Sequence, residues 1–160
     1  MAFIGIVGFS GRGKSSLAES LTATYVRSGL RVGFLKHTHH EKPVTSAGDT
    51  SRLLAAGASE AWLAGNGWAI RYTEGNSELH EPMTLEKLLR VVQGEVVIIE
   101  GFKTAASWPC LAVVRDMTEL ETFRTKVSAV ITDAPLDLAL PRFRPSDVEA
   151  IAEFALTIAR

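Results

Sequence analysis

Eight residues near the amino terminus, residues 8–15, constrain this chain more than any other segment. Their sequence, Gly-Phe-Ser-Gly-Arg-Gly-Lys-Ser, matches the pattern G-x-x-x-x-G-K-[ST] in full. Glycines at these positions let successive backbone N–H groups converge on phosphate oxygens, and a helix that starts here adds the partial positive charge of its amino end. The pattern predicts a nucleoside triphosphate site in which Lys14 contacts the β- and γ-phosphates and Ser15 ligates Mg²⁺.

The segments on both sides of this phosphate loop have the patterns that such a loop needs. Residues 3–7 are a short apolar run with β-branched members, which predicts a buried strand. Residues 14–28 carry apolar side chains at spacings of three and four, which predicts a helix that Gly29 ends. A strand that enters the loop and a helix that leaves it argue against a chance match.

The rest of the chain alternates between strand-like and helical segments. Strands are predicted over residues 31–36, 60–63, 68–73, 96–99, 111–115 and 129–132. Helices are predicted over residues 49–56 and 84–92. A last helix is predicted to follow residues 146–149, which have the spacing of a capping box. Residues 65–67, Gly-Asn-Gly, predict a hairpin turn. Several strands are apolar on both faces, which favours a covered parallel sheet. We therefore predict one α/β domain over residues 1–160, a three-layer P-loop fold whose mostly parallel sheet is flanked by helices and extended by a β-hairpin excursion.

The amino-acid composition of the chain limits the kinds of molecule that it is expected to bind. With 160 residues, 46% of them hydrophobic and 22% charged, the chain suits one globular domain. The net charge is −1 and the 17 basic residues are scattered, which argues against nucleic acid or an anionic membrane as partner. No apolar run approaches the roughly 20 residues that span a bilayer, and a single cysteine excludes an intrachain disulfide. We therefore expect a cytoplasmic protein.

Two acidic residues are candidates to assist the phosphate loop, because ligands of such sheets bind beyond the carboxyl ends of the strands. Glu100 ends the most hydrophobic strand, where a carboxylate can serve Mg²⁺ or its waters; the alternative is an ordinary strand-end carboxylate facing solvent. Asp49 follows a polar loop over residues 37–48 and is a second such candidate, or the N-cap of the next helix. With Ser15, both are predicted metal ligands, and both are predicted catalytic residues.

Residues 36–40, Lys-His-Thr-His-His, hold three of the four histidines. Alternation along an extended segment puts His37 and His39 on one side and His40 on the other. Two imidazoles on one side suit Zn²⁺ or Ni²⁺, although no nearby cysteine completes a set of four ligands. Contact with a nucleotide or substrate, and a histidine-rich polar loop without a ligand, stay open as alternatives.

With these segments identified, the sequence resembles the molybdopterin-guanine dinucleotide biosynthesis protein B (MobB) family over nearly its full length. The resemblance is carried by the phosphate loop, residues 36–40, Asp49 with Ser51, Leu54 and residues 56–58, residues 100–103 (Glu-Gly-Phe-Lys), Arg115-Asp116 and Asp147. Many NTPases share the loop, whereas Lys-His-Thr-His-His followed by Glu-Gly-Phe-Lys is far more specific.

The resemblance implies a GTP-binding homodimer that assists a partner nucleotidyltransferase (MobA) in attaching GMP to molybdopterin, with at most weak GTPase activity. By position, it implies that phosphate and Mg²⁺ are held by Gly11, Gly13, Lys14, Ser15 and Ser16. It also implies support of the metal and water by Asp49 and Glu100, and a pocket lined by Lys36, His37 and His40. His39 and Lys103 join that group as candidates to meet the phosphate and dithiolene of molybdopterin.

Three positions bear on how far the family pattern carries over. Arg12 adds a charge beside the phosphates, where it can aid binding or reach a neighbouring subunit. Phe9 stands where related dimeric ATPases carry a second signature lysine, so that mechanism should be absent. No N-K-x-D motif occurs, and Asp133 is the candidate to accept hydrogen bonds from guanine N1 and N2, or else a turn aspartate.

Two other functions stay open on the sequence. One is a P-loop metallochaperone in which the histidines carry a metal and GTP gates its release. The other is a small-molecule kinase or ligase, against which no extended lid or second substrate domain is evident in 160 residues. The combined motifs favour the GTP-binding accessory protein.

Overall fold

A computed structural model of the chain describes residues 1–44, 48–104, 107–123 and 126–159. Its strands are β1 (Ala2–Val7), β2 (Val32–His37), β3 (Glu60–Ala64), β4 (Ala69–Thr73), β5 (Asn76–His80), β6 (Val96–Glu100), β7 (Cys110–Val113), β8 (Val127–Ile131) and β9 (Arg142–Phe143). Its helices are α1 (Lys14–Arg27), α2 (Gly48–Ala55), α3 (Leu85–Val91), α4 (Met117–Glu121) and α5 (Val148–Ala159).

All nine strands of the described residues join one sheet, in the order β5-β4-β3-β2-β6-β1-β7-β8-β9. The neighbours from β3 through β9 pair in parallel, whereas β3–β4 and β4–β5 pair antiparallel. The antiparallel part is the predicted hairpin excursion, whose turn at residues 65–67 is closed by a hydrogen bond from Gly65 N to Trp68 O. The mostly parallel α/β fold is therefore confirmed.

Apolar side chains cover the sheet on both faces. On one face α1, α2 and α5 pack against strand residues such as Ile4, Phe34 and Ile98, which are fully buried. The Tyr25 hydroxyl donates to Ala152 O across the α1–α5 contact, at 3.0 Å. On the other face α3 and the segments after β7 and β8 cover residues that include Val97 and Ile99. Two apolar layers around one sheet are the predicted three-layer arrangement.

Three elements were not predicted, and each lacks the apolar pattern on which prediction depends. Strand β5 exposes four of its five residues and is held by pairing with β4. Helix α4 has only five residues and buries none of them. Strand β9 has two residues and, within the described part of the chain, pairs only with β8. Short, exposed elements of this kind are specified by their neighbours rather than by hydrophobic periodicity.

One local prediction differs from the structure. Helix α5 begins at Val148, so Asp147 rather than Ser146 precedes it; the Asp147 carboxylate accepts a hydrogen bond from Arg144 N at 3.1 Å, and its carbonyl accepts one from Ile151 N at 2.9 Å. Part of the predicted loop over residues 37–48, residues 45–47, lies outside the described residues. No helix of the described residues is long and apolar enough to cross a bilayer.

Candidate functional site

Three neighbouring strands bring the predicted residues to one edge of the sheet. Strand β6 lies between β1 and β2, and its last residue, Glu100, pairs in register with Ile6 of β1 and Lys36 of β2. The phosphate loop follows β1 directly, so it begins at the same level as these strand ends. The carboxyl edge of the sheet therefore brings together Lys36, Glu100 and the phosphate loop.

The phosphate loop has a backbone that its glycines make possible. Gly13 precedes α1 with φ 88° and ψ 18°, a left-handed conformation in which a side chain would be strained. A Cβ added to Gly8 would lie 2.5 Å from Val113 O, so the loop passes too close to β7 for any other residue. The Lys14 amino group folds over the loop and donates to Phe9 O at 2.7 Å. The local geometry agrees with a loop shaped to surround phosphate.

The Ser15 hydroxyl lies between two carboxylates. Its Oγ is 3.1 Å from Glu100 Oε2 and 3.3 Å from Asp49 Oδ2. The ammonium group of Lys36 forms an ion pair with Asp49 and lies 3.4 Å from Glu100 Oε1. Only 6% of the Glu100 side chain is exposed, so this carboxylate depends on these partners for its solvation. The structure thus brings together Ser15, Asp49, Glu100 and Lys36 from four separate elements.

The charges in this cluster shift the pKa of three groups. The hydrogen bond from Lys36 and the charge of its ammonium hold the pKa of Asp49 below its usual value, against the effect of burial. Burial acts to lower the pKa of Lys36, but the hydrogen bond to Asp49 and the charge of Glu100 outweigh it, so that pKa is raised. Burial lowers the pKa of Lys14, and the charges of Lys103 and Lys36 add to the effect. Lys36 and Asp49 thus each favour the charged form of the other.

Asp49 is not the N-cap of α2, one of the two roles that the sequence left open for it. Helix α2 begins at Gly48, so Asp49 lies inside its first turn. Its carboxylate points to Ser15 and Lys36 instead of capping the helix, because an ion pair with a half-buried ammonium outweighs one bond to a backbone amide. Glu100 likewise is buried within the cluster and does not face solvent.

A cavity of about 310 Å³ opens over this cluster; we call it the phosphate cavity. It is lined by Ser10, Gly11, Gly13, Lys14, Ser15, Ser16, Lys36, Asp49, Arg52 and Glu100. A larger cavity of about 600 Å³ lies at the opposite edge of the sheet beside Met1 and Gly94, and none of the predicted residues lines it. The chemistry of the loop and the carboxylates, rather than volume, marks the phosphate cavity as the candidate site.

The histidines lie beside the phosphate cavity rather than in it. The rings of His37 and His39 meet edge to face with centroids 5.0 Å apart, which places both on one side as predicted. His40 lines an adjoining cavity of about 160 Å³ that shares Lys36 and Asp49 with the phosphate cavity. Among the described residues, no group of three or more His, Cys, Asp and Glu side chains is arranged to hold a metal.

Phe102 supports the histidine segment, and sequence reasoning missed it. Its backbone has φ 53°, a left-handed conformation that is unusual for a bulky residue. The ring lies 4.6 Å from the His37 ring, and a Cβ on the preceding Gly101 would come 3.0 Å from His37 Cβ. Burial, with a smaller effect from the charge of His39, lowers the pKa of His37. The strained turn after β6 therefore packs directly against the end of β2.

Lys103 and Arg12 lie outside the phosphate cavity. The Lys103 ammonium lies over the rings of Phe9 and Phe123, 5.2 and 5.7 Å from their centroids. The Arg12 Nε donates to Glu119 Oε1 at 2.8 Å, and the same pair forms a salt bridge between the loop and α4. Hydrogen bonding to Arg12 lowers the pKa of Glu119. Arg12 thus faces α4 rather than the cluster around Ser15.

Asp133 lines a third cavity, of about 240 Å³, on the other side of the phosphate loop; we call it the Asp133 cavity. The loop residues Gly11 and Arg12 line it together with Arg115, Thr132 and Pro145, and Gly11 also lines the phosphate cavity. The two cavities therefore adjoin at the loop.

The fold and the loop define a P-loop α/β protein. A family model described as Molybdopterin guanine dinucleotide synthesis protein B (MobB) matches residues 3–133. The chain is 32% identical over 157 residues to the molybdopterin-guanine dinucleotide biosynthesis adapter protein of Haemophilus influenzae, across 94% of this chain and 85% of that protein. It is 28% identical to the Escherichia coli protein of the same name, across 96% and 90% of the two chains. This chain belongs to the MobB family of molybdopterin-guanine dinucleotide biosynthesis adapter proteins, which confirms the resemblance seen in the sequence.

Solved structures of related proteins share the fold. The crystal structure of Bacillus subtilis MobB superposes with a TM-score of 0.68 at 24% identity, across 100% of this chain and 99% of that one. A MobB homologue from Bacillus stearothermophilus gives a TM-score of 0.64 at 25% identity, across 98% and 97%. The likeness therefore extends over the whole of both chains.

Proposed function

We propose that this chain binds GTP with Mg²⁺ in the phosphate cavity and acts as an accessory protein in the attachment of GMP to molybdopterin. The observation that carries the proposal is the Ser15 hydroxyl, which belongs to a complete phosphate loop and lies within 3.3 Å of both the Asp49 and Glu100 carboxylates. A serine that ligates Mg²⁺ and an acidic residue from a neighbouring strand are the parts that P-loop NTPases use to hold their metal.

The residues of this cluster fit Mg²⁺. Ser15, Asp49 and Glu100 offer one hydroxyl and two carboxylates, and hard oxygen ligands of this kind are those that Mg²⁺ prefers. When bound, the ion neutralises charge on the phosphate oxygens. Lys36, which pairs with both carboxylates, keeps the two acidic groups together and offers its ammonium to phosphate. Lys14 and the backbone amides of the loop complete the phosphate contacts.

Guanine recognition is assigned to Asp133. A carboxylate there can accept hydrogen bonds from guanine N1 and N2, which adenine cannot donate in the same way. Its place in the cavity that adjoins the phosphate loop at Gly11 supports this role. His37, His39, His40 and Lys103 stay candidates for contact with molybdopterin, and a homodimer that assists a partner nucleotidyltransferase (MobA) completes the proposal.

Hydrolysis in the isolated protein is expected to be slow. The only glutamine of the chain, Gln93, lies at the amino end of β6, opposite the phosphate cavity, so no glutamine side chain can orient an attacking water there. Arg12 is held by Glu119 and does not line the cavity. Among the described residues, neither a glutamine nor Arg12 is therefore in place at the phosphate cavity to assist the attack of water, as such residues do in rapid GTPases.

Calorimetric titration of GTP and ATP, each with Mg²⁺, tests this proposal. Wild type is expected to prefer GTP, Lys14→Ala to lose binding of both nucleotides, and Asp133→Asn to lose the preference for GTP while it still binds. Lys87→Ala, on the exposed face of α3, serves as the control for removing a lysine. Equal or tighter binding of ATP by wild type would refute the guanine assignment, and unchanged binding by Lys14→Ala would refute the site.

A further inference from the structure

Arg52 lines the phosphate cavity although its sequence context did not single it out. It lies one turn after Asp49 on α2, and its Nη1 is 3.9 Å from Asp49 Oδ1. The other oxygen of that carboxylate, Oδ2, accepts from the Ser15 hydroxyl at 3.3 Å. The guanidinium is therefore separated from the serine of the phosphate loop by a single carboxylate.

The present partner of Arg52 is an exposed glutamate. Arg52 Nε and Nη2 donate to the same oxygen of Glu19, Oε2, at 3.0 and 2.6 Å. Both side chains are substantially exposed, 52% for Arg52 and 38% for Glu19. Exposed ion pairs contribute little to stability, whereas a guanidinium can form two parallel hydrogen bonds to phosphate. Exchange of Glu19 for a phosphate group therefore costs little.

Charge in the phosphate cavity also favours an anion there. Its lining residues include three cations, Lys14, Lys36 and Arg52, against the two carboxylates of Asp49 and Glu100, so the lining carries a net positive charge. Arg12, the arginine nearest in sequence to the loop glycines, faces Glu119 and lines the Asp133 cavity instead.

The position of Arg52 determines which phosphate of a bound nucleotide it would contact. The Asp133 cavity meets the phosphate cavity at Gly11, whereas Arg52 lies with Ser15, Asp49 and Glu100. A nucleotide with its base beside Asp133 would extend its phosphates across the loop toward Arg52. The guanidinium would then meet the end of the phosphate chain, farthest from the base.

We infer that Arg52 binds the terminal phosphate of a nucleoside triphosphate and lets the site distinguish a triphosphate from a diphosphate. In binding, it exchanges its hydrogen bonds to Glu19 for bonds to phosphate oxygens. The inference rests on the proposed function in requiring a nucleotide with its phosphates in the phosphate cavity and its base toward Asp133, and it holds whichever base is preferred.

The test is the ratio of triphosphate to diphosphate affinity, measured by calorimetry with GTP, GDP, ATP and ADP in the presence of Mg²⁺. Arg52→Ala is expected to weaken triphosphate binding roughly tenfold to a hundredfold, the range for hydrogen bonds to charged groups, and to change diphosphate binding less than about twofold. Arg52→Lys, which keeps the charge but not the forked geometry, is expected to fall between wild type and Arg52→Ala. Arg90→Ala removes an arginine from an exposed pair with Glu86 and is the matched control.

Glu19→Gln separates binding from a structural role. This substitution releases Arg52, so triphosphate affinity is expected to be unchanged or higher. A loss as large as that of Arg52→Ala would show that the Arg52–Glu19 pair only holds α1 against α2, and it would overturn the inference. Equal losses of triphosphate and diphosphate affinity in Arg52→Ala would also overturn it. A preference of wild type for ATP would refute the guanine assignment alone, because the ATP-to-ADP ratio still reports on Arg52. Wild type that bound none of the four nucleotides would refute both.

Discussion

Lys36 shows at the residue scale how one side chain organises the site. It is half-buried at the end of β2, and its ammonium contacts the carboxylates of Asp49 and Glu100. Without it, two like charges would face each other around the Ser15 hydroxyl in a poorly solvated place. The same ammonium is available to phosphate oxygens, since it has three donors. Lys36 therefore holds the two carboxylates together and can also contact the proposed ligand.

His37 predicts a dependence of stability on pH. Because burial lowers its pKa in the folded protein, the unfolded chain binds more protons between the folded value and the ordinary value of about 6.5. The free energy of unfolding should then fall as pH decreases from about 7.5 through the folded pKa, and this contribution should level off below it. His37→Gln should flatten that dependence, measured by urea unfolding at several pH values between about 7.5 and 5. His40→Gln controls for the loss of an imidazole; an undiminished slope in His37→Gln would contradict the prediction.

At the scale of elements, a buried carboxylate attaches the hairpin to the parallel sheet. Glu60, at the start of β3, is 2% exposed. It accepts hydrogen bonds from Trp62 Nε1 at 2.8 Å, from Gln93 N at 2.7 Å and from Arg71 Nε at 2.8 Å. These donors come from β3, from the segment before β6 and from β4. One charge thus joins three parts of the sheet, and it requires all of its donors because it is removed from water.

Arg71→Met should therefore destabilise the fold by about 2 kcal/mol, since it removes the charged donor to a buried carboxylate and leaves the two neutral ones. The urea dependence of unfolding measures the loss. Arg90→Met, which breaks the exposed pair with Glu86, should cost less than about 0.5 kcal/mol and is the control. Equal effects of the two substitutions would show that the Glu60 contacts do not stabilise the hairpin.

At the scale of the whole molecule, the sheet ends in two edge strands, β5 and β9. Strand β5 pairs only with β4 in the described residues, and it exposes Leu79 by 54%. Exposed strand edges with apolar side chains favour association with another chain. An edge of this kind agrees with the homodimer that we propose.

Sedimentation velocity over a range of protein concentrations checks the dimer. The expected species has twice the 17.3 kDa mass of the chain, and it should persist on dilution if the interface is large. A mass of 17.3 kDa at every concentration, with and without GTP and Mg²⁺, would contradict the dimer and leave the nucleotide site unaffected.

Much of the fold could be predicted because its central strands and long helices have strong local signals. The strand before the phosphate loop, the helix after it and the helix predicted over residues 84–92 all occur, with ends that differ by one or two residues. The loop itself was identified from sequence because each position has its own backbone or chemical requirement. Strand β5 and helix α4 were missed because pairing and a short capped turn, not periodicity, hold them in place.

The site was predicted unevenly for a physical reason. Strand topology made it possible to expect Lys36, Glu100 and the loop at one edge of the sheet, because the carboxyl ends of parallel strands meet there. No comparable rule predicts which side chains on separate elements contact each other. Glu119 forms a salt bridge with Arg12, and Phe102 packs on His37. Both pairs are far apart in sequence, so no local pattern encodes them. Arg52 reaches the cavity only because α2 packs beside α1.

The sequence by itself determined the phosphate loop, the alternation of strands and helices, and the resemblance to the MobB family, since each depends on residues that are close in the chain. The tertiary structure decided which charges face the loop. Arg12, the arginine inside the loop, is turned away by Glu119, whereas Arg52, some 37 positions after Ser15, lines the phosphate cavity. The reason is that hydrophobic and hydrogen-bonding patterns specify an element locally, while the partner of a charged side chain is chosen by the packing of elements that are distant in sequence.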